Sequence, residues 1–186
     1  VNLSTQESSI IAGTLSQRGY SGDGGPATEA KLWYPHSIKT DISGNIYIAD
    51  TTNYCVRKVD ALTGVISTVA GTPQQSGTSG DGGPATDALL INPLGLVINS
   101  SGDLYITDNS NTVRKVDHAT GIISVFAGMS NSYTGDGGPA TLARFYTNSI
   151  ALDSYNNLYI SDNMHNMVRK VDVSTNIIST IVNPMT

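Results

Sequence analysis

Three histidines, one cysteine and a set of aspartates in glycine-rich loops are the residues of this 186-residue chain with the chemistry to attack a substrate or hold a metal. His36, His118 and His165 fall at unrelated points, and the chain has no His-x-x-x-His pair, no Gly-x-Ser-x-Gly elbow and no phosphate-cradling Gly-Lys-Ser or Gly-Lys-Thr. Cys55 is alone, which excludes an internal disulfide and a paired-cysteine zinc or redox centre, and leaves it as a small buried hydrophobe in a strand. Asp23, Asp81 and Asp136 each stand between glycines, as in calcium loops. Each loop offers a single carboxylate where an EF-type loop supplies about three or four, so the expected role is to accept backbone N–H bonds and hold a tight turn. No catalytic group, metal or cofactor is expected.

Those aspartates belong to a repeat. Gly22-Asp23-Gly24-Gly25-Pro26-Ala27-Thr28 recurs unchanged at 80–86 and 135–141. Each copy is followed by Tyr-Ile-x-Asp (47–50, 105–108, 159–162) and then by Val-Arg-Lys-Val-Asp (56–60, 113–117, 168–172), in constant order and near-constant spacing. Asp50, Asp108 and Asp162 close one strand and Arg57, Arg114 and Arg169 return in the next, so hairpin pairing would place each aspartate near an arginine fork. Ion pairs repeated in every unit point to architecture.

Alternating polarity between turn signals predicts short strands over 37–42, 45–50, 54–60 and 65–70. The second copy gives 95–99, 103–108, 112–117 and 122–127, and the third 149–153, 157–162, 167–172 and 177–182. Ser9-Ile10-Ile11-Ala12-Gly13 aligns with the tail Thr68-Val69-Ala70-Gly71, which predicts an additional outer strand over 8–13. Antiparallel four-stranded units joined by long loops suit a β-propeller, because each blade packs face to face on its neighbours. The expected fold is all-β: a propeller segment of three four-stranded antiparallel blades (37–71, 94–128 and 149–182) plus an extra N-terminal outer strand.

The tail Ile-Ser-Thr-Val-Ala-Gly, the loop Ser-Gly-Asp-Gly-Gly-Pro-Ala-Thr, Gly-Asn-Ile-Tyr-Ile-Ala-Asp and Asn-x-x-Val-Arg-Lys-Val-Asp resemble NHL repeats, over residues 7–182. The resemblance implies a ring of about six blades, so further blades would come from another chain or from the rest of a longer one. The third unit is the least regular, with Thr147 where Pro35 and Pro93 stand, and Asn99 replaces the Asp41 and Asp153 position in the second. Some NHL-type propellers are metal-dependent lyases. His36, near the start of an innermost strand, is the one residue here that would suit such a role.

Charged residues make up 13% of the chain and the formal net charge is −5, with no basic stripe for a phosphate backbone, so nucleic acid is not an expected partner. No apolar run is long enough to span a membrane, and the sequence opens without the pattern of a signal peptide. Low charge, abundant Ser, Thr and Asn, and sequons at Asn2 and Asn99 suggest an extracellular or cell-surface setting. In a repeat protein the shared residues build the unit, so binding is expected where the copies differ. Two loop sets do so: Arg18, Tyr20, Gln74, Gln75, Asn131 and Tyr133 before the constant loop, and Tyr54 and His165 between the second and third strands. Their rings, amides and hydroxyls would suit a protein or glycan partner, which makes the chain a non-catalytic binding scaffold. The alternative is a structural subunit that assembles through open blade faces.

Overall fold

The computed structural model describes residues 8–128 and 135–182. Twelve strands form three four-stranded antiparallel sheets, each in chain order. Blade 1 holds β1 (Pro35–Thr40), β2 (Ile46–Asp50), β3 (Cys55–Val59) and β4 (Ile66–Ala70). Blade 2 holds β5 (Leu96–Ile98), β6 (Leu104–Thr107), β7 (Val113–Val116) and β8 (Ile123–Ala127). Blade 3 holds β9 (Ile150–Leu152), β10 (Leu158–Asp162), β11 (Met167–Asp172) and β12 (Ile177–Val182). The four-stranded meander read from the repeat is therefore the fold; β1 alone starts earlier than expected, because Pro35 pairs with Asp50 across a bulge.

Side chains of the turns fix the register. Asp41 accepts the Ser43 and Asn45 N–H groups at 3.0 and 2.9 Å, and Asp60 accepts the Leu62 and Thr63 N–H groups at 3.2 and 2.9 Å. Such Asx turns settle which residues of the flanking strands face each other. In blade 2 the first of these turns is inverted: Asn99 takes the aspartate position, while Asp103 stands where Asn45 and Asn157 stand. Reversing both members keeps the amide-to-carboxylate bond, so the departure seen in the sequence is compensated four residues later.

The blades pack through the alternate residues of their strands. Tyr47, Ala49, Val56 and Ala70 of blade 1 meet Leu96, Leu104, Ile106 and Ile123 of blade 2. Tyr105, Val113 and Ala127 then meet Phe145, Ile150, Leu158 and Ile160 across the second seam. Burying each large aliphatic side chain contributes about 1.5–3 kcal/mol. Among the described residues no preceding blade covers the outer side of β1: Ile38 is 62% exposed, whereas Leu96 and Ile150 at the equivalent points are 1% and 7% exposed.

The constant glycine loop lies along the outer strand of its own blade. Gly24 N–H donates to Ile66 O at 2.8 Å and Ile66 N–H to Gly25 O at 3.0 Å. The same pair of bonds links Gly82 and Gly83 to Ile123, and Gly137 and Gly138 to Ile178.

The additional strand expected over 8–13 is not formed. Gly13 N–H still donates to Ala27 O at 2.9 Å, as Gly71 does to Ala85 at 2.8 Å and Gly128 to Ala140 at 2.9 Å. In the latter two cases the preceding residues form β4 and β8 against β3 and β7. Residues 8–12 have no third strand beside them among the described residues, and Ile10 and Ile11 stay exposed. A strand exists only by pairing.

Candidate functional site

The repeated aspartates and arginines form one cluster per blade; the pairing expected from the sequence is present in blades 1 and 3, but as the longer of two contacts. The arginine reaches first for the aspartate of the glycine loop: Arg57 to Asp23 at 2.5 Å, Arg114 to Asp81 at 3.0 Å and Arg169 to Asp136 at 2.7 Å. Asp50 and Asp162 stand farther from their arginines, at 3.5 and 3.7 Å. Asp108 makes no ion pair with Arg114; its oxygens take the Ile91 N–H at 3.1 Å and the Ser110 N–H at 3.0 Å. One residue fewer separates Asp108 from Val113 than Asp50 from Val56, Ser110 lies on that carboxylate, and the guanidinium bonds the Leu89 and Ser79 carbonyls.

Asp23 therefore does more than hold a turn. It also accepts the Thr68 N–H of β4 at 3.0 Å, so it stitches the loop to two strands. Burial opposes its charge, but hydrogen bonds from Tyr20 and Thr68 and the Arg57 charge outweigh that, and its pKa lies below the usual carboxylate range. Burial raises that of Asp50, against the bonds from Trp33 N–H, Asn53 and Arg57.

Tyr20, expected to face a partner, is turned inward. Its hydroxyl donates to Asp23 at 2.6 Å and its ring lies 4.7 Å from the Arg57 guanidinium carbon. Burial, then the Asp23 bond, pushes its pKa up to about 12. His165 is likewise occupied: its Nδ1 donates to the buried Asp162 carboxylate at 2.7 Å, the place taken in blade 1 by the Asn53 amide at 2.8 Å. Cys55 is fully buried, and burial raises its thiol pKa far from reactivity. Asn131 and Tyr133 lie outside the described residues, as does the sequon at Asn2.

The remaining loop residues converge on one face. Asn53 is the joint: its side chain donates to Gly19 O at 2.7 Å, and its own carbonyl accepts the Gln74 N–H at 2.9 Å. Tyr54, the next residue, is therefore flanked by the loop carrying exposed Arg18 on one side and by exposed Gln74 and Gln75 on the other. Arg18 sits 5.7 Å from the Trp33 ring centre.

Tyr54 has φ +58°, while Asn111 and Asn166 hold the equivalent place in blades 2 and 3 with φ +63° and +54°. Tyr34, 72% exposed, has φ +56° where blade 2 has Asn92 at +47°. Asparagine tolerates this left-handed backbone; a tyrosine there is strained. Trp33 and Tyr34 were missed by the sequence reading. Aligning Trp33-Tyr34-Pro35 with Ile91-Asn92-Pro93 would have found them.

Among the described residues no group of three or more His, Cys, Asp or Glu side chains could hold a metal ion. No helix is long and apolar enough to cross a membrane.

Comparison with known proteins agrees with this architecture. Teneurin-3 of Danio rerio is 38% identical over 106 residues, covering 50% of this chain and 4% of the relative. NHL repeat-containing protein 2 of Bos taurus is 33% identical over 105 residues, covering 55% of this chain and 14% of the relative. The chain thus spans a small part of these relatives' length. A structure from Bacteroides thetaiotaomicron, of a protein of unknown function, superposes with TM-score 0.67 at 24% identity, over 89% of this chain and 39% of that one. An inactive virginiamycin B lyase from Staphylococcus aureus does so with TM-score 0.57 at 16% identity, over 87% and 46%. These likenesses show the fold alone. The family model described as the Teneurin NHL domain matches residues 12–76 and again 70–134. The chain belongs to the Teneurin NHL domain family.

Proposed function

We propose that this chain is a non-catalytic, extracellular binding scaffold whose blade 1 and blade 2 loops present a face to a protein or glycan partner. The observation that carries the reading is the pair of strained tyrosines, Tyr54 where both sister blades carry asparagine and Tyr34 where blade 2 carries Asn92. Backbone strain persists where something else selects for the side chain. Exposed Arg18, Gln74 and Gln75 add directional hydrogen bonds around the rings, the mixture that interfaces favour. Similarity to teneurins supports a cell-surface setting.

The test uses labelled full chain on cultured animal cells, beside Tyr34→Asn and Tyr54→Asn, which restore the sister-blade residue. Saturable binding of the parent chain and its loss in both variants, with folding intact, is the expected result. Protease or glycosidase treatment of the cells tells a protein partner from a glycan. Binding untouched by either substitution would remove this face from consideration.

A second reading, a structural subunit that assembles through open blade faces, rests on Ile38 and its 62% exposure. Light scattering on the chain separates the two: self-association without added ligand, abolished by Ile38→Glu, favours assembly.

A further inference from the structure

The innermost strands β1, β5 and β9 run side by side, and a cleft of about 260 Å³ opens along their starts. Its polar lining comes from His36, Ser37, Lys39, Asn148 and Ser149. Among the described residues, only His36 of these five side chains has a protein partner, its Nδ1 standing 3.2 Å from the Leu94 carbonyl. A carbonyl can only accept, so Nδ1 carries the proton.

Cations elsewhere in the blades are occupied. Arg57, Arg114 and Arg169 are ion-paired, Lys115 meets Asp103 at 3.0 Å, and Lys58 and Lys170 lie over the rings of Tyr47 and Tyr159. Lys39 differs: it stands where the sister blades carry Val97 and Ala151, and it lines both this cleft and the adjoining one. Neither cleft has a carboxylate in its lining, although the chain as a whole carries net charge −5.

We infer that this inner cleft binds a small oxyanion, a carboxylate or a phosphate. The Lys39 ammonium supplies the charge. The Ser37 and Ser149 hydroxyls and the Asn148 amide supply neutral donors, and Leu94, Leu96 and Ile150 form an apolar wall beside them. A divalent cation is a poor match, since the lining offers one imidazole and no acid. This site uses different side chains from the loop face proposed above and does not depend on it.

The test is the rate at which diethyl pyrocarbonate acylates each histidine of the full chain, followed by peptide mass spectrometry. Exposed His118 serves as the internal control. Inorganic phosphate, sodium acetate and sodium chloride are compared at matched ionic strength. An oxyanion at about four times its Kd should slow acylation of His36 about fivefold by mass action and leave His118 unchanged. Lys39→Gln should weaken the affinity about tenfold or more, as expected for loss of a charge-assisted bond, so that the same anion concentration slows His36 acylation by about 1.4-fold or less. Protection by phosphate alone assigns a phosphate ligand, and protection by acetate assigns a carboxylate. Equal protection by chloride, no protection by any anion, or full protection in the Lys39→Gln chain would each overturn the inference.

Discussion

The Arg57 guanidinium lies 2.5 Å from the Asp23 carboxylate, and that contact joins the third strand of blade 1 to the loop running along its fourth. The two partners are unequal. Arg57 is fully buried and also faces buried Asp50 at 3.5 Å, whereas the Asp23 side chain is 33% exposed. Arg57→Leu should therefore destabilise by about 3–5 kcal/mol, because it strands Asp50 without a counter-charge. Asp23→Asn should lose about 1 kcal/mol or less, as partly solvated pairs do. Urea unfolding of both variants checks the order, and equal losses would mean that Asp50 does not depend on the arginine.

Tyr54→Asn should stabilise the fold while it weakens any loop-face binding. Removing a bulky residue from φ +58° relieves about 1–2 kcal/mol. In a domain of this size, each kcal/mol raises the melting temperature by about 2–4 °C. The reciprocal Asn111→Tyr should lower it by a similar amount. Calorimetry on the two variants decides, and a melting temperature that drops in both would show that Tyr54 is needed for packing.

Gly80 and Gly82 are both in the left-handed region, at φ +100° and +85°, yet they differ in surroundings. A methyl group on Gly80 would stand 2.5 Å from the Ala88 Cα, while one on Gly82 meets nothing within 4 Å. Gly82→Ala carries the backbone penalty of about 1–2 kcal/mol alone. Gly80→Ala adds a clash with backbone that cannot swing aside, so its chemical-denaturation midpoint should fall well below that of Gly82→Ala. Matching midpoints would show that the loop can move off Ala88.

Acid should unfold the chain. Hydrogen bonding in the turns outweighs burial at Asp41 and places its pKa below the ordinary value, and Asn157 leads the same effect at Asp153. A carboxylate whose folded pKa is depressed adds stability that is present above its unfolded value and lost as pH falls through the folded one. Asp50 works the other way: raised by burial, it favours the fold when protonated, and that contribution is lost as pH rises above the unfolded value. The depressed carboxylates, Asp23 and Asp136 among them, outnumber it. The melting temperature by circular dichroism should hold steady from about pH 7 to 5 and decline below about pH 4. A rise on acidification would mean that Asp50 dominates.

The meander was legible because each strand carries its own alternation and each turn its own Asp, Asn or Gly, all local signals repeated three times. The nearer partner of each arginine was not. Asp50 and Arg57 are close in sequence and invite pairing, but Asp23, far upstream, is carried back along β4 by the backbone bonds of its glycines. Tyr20 was misread for the same reason, since its partners Thr68 and Arg57 are remote in the chain. The strain at Tyr34 and Tyr54 was hidden in a different way: φ belongs to the backbone, and only the asparagines at matching positions hint at it. Lys39 carries no motif at all, and its setting becomes visible only when three inner strands are placed together.

The glycine loops pressed along Ile66, Ile123 and Ile178 have one more consequence. They occupy the backbone N–H and C=O of one residue at the start of the outer strand in every blade, which shortens the edge on which an extended peptide could pair by β-augmentation. A strand seeking to pair there would first have to displace the glycine loop and break both of its bonds to the blade.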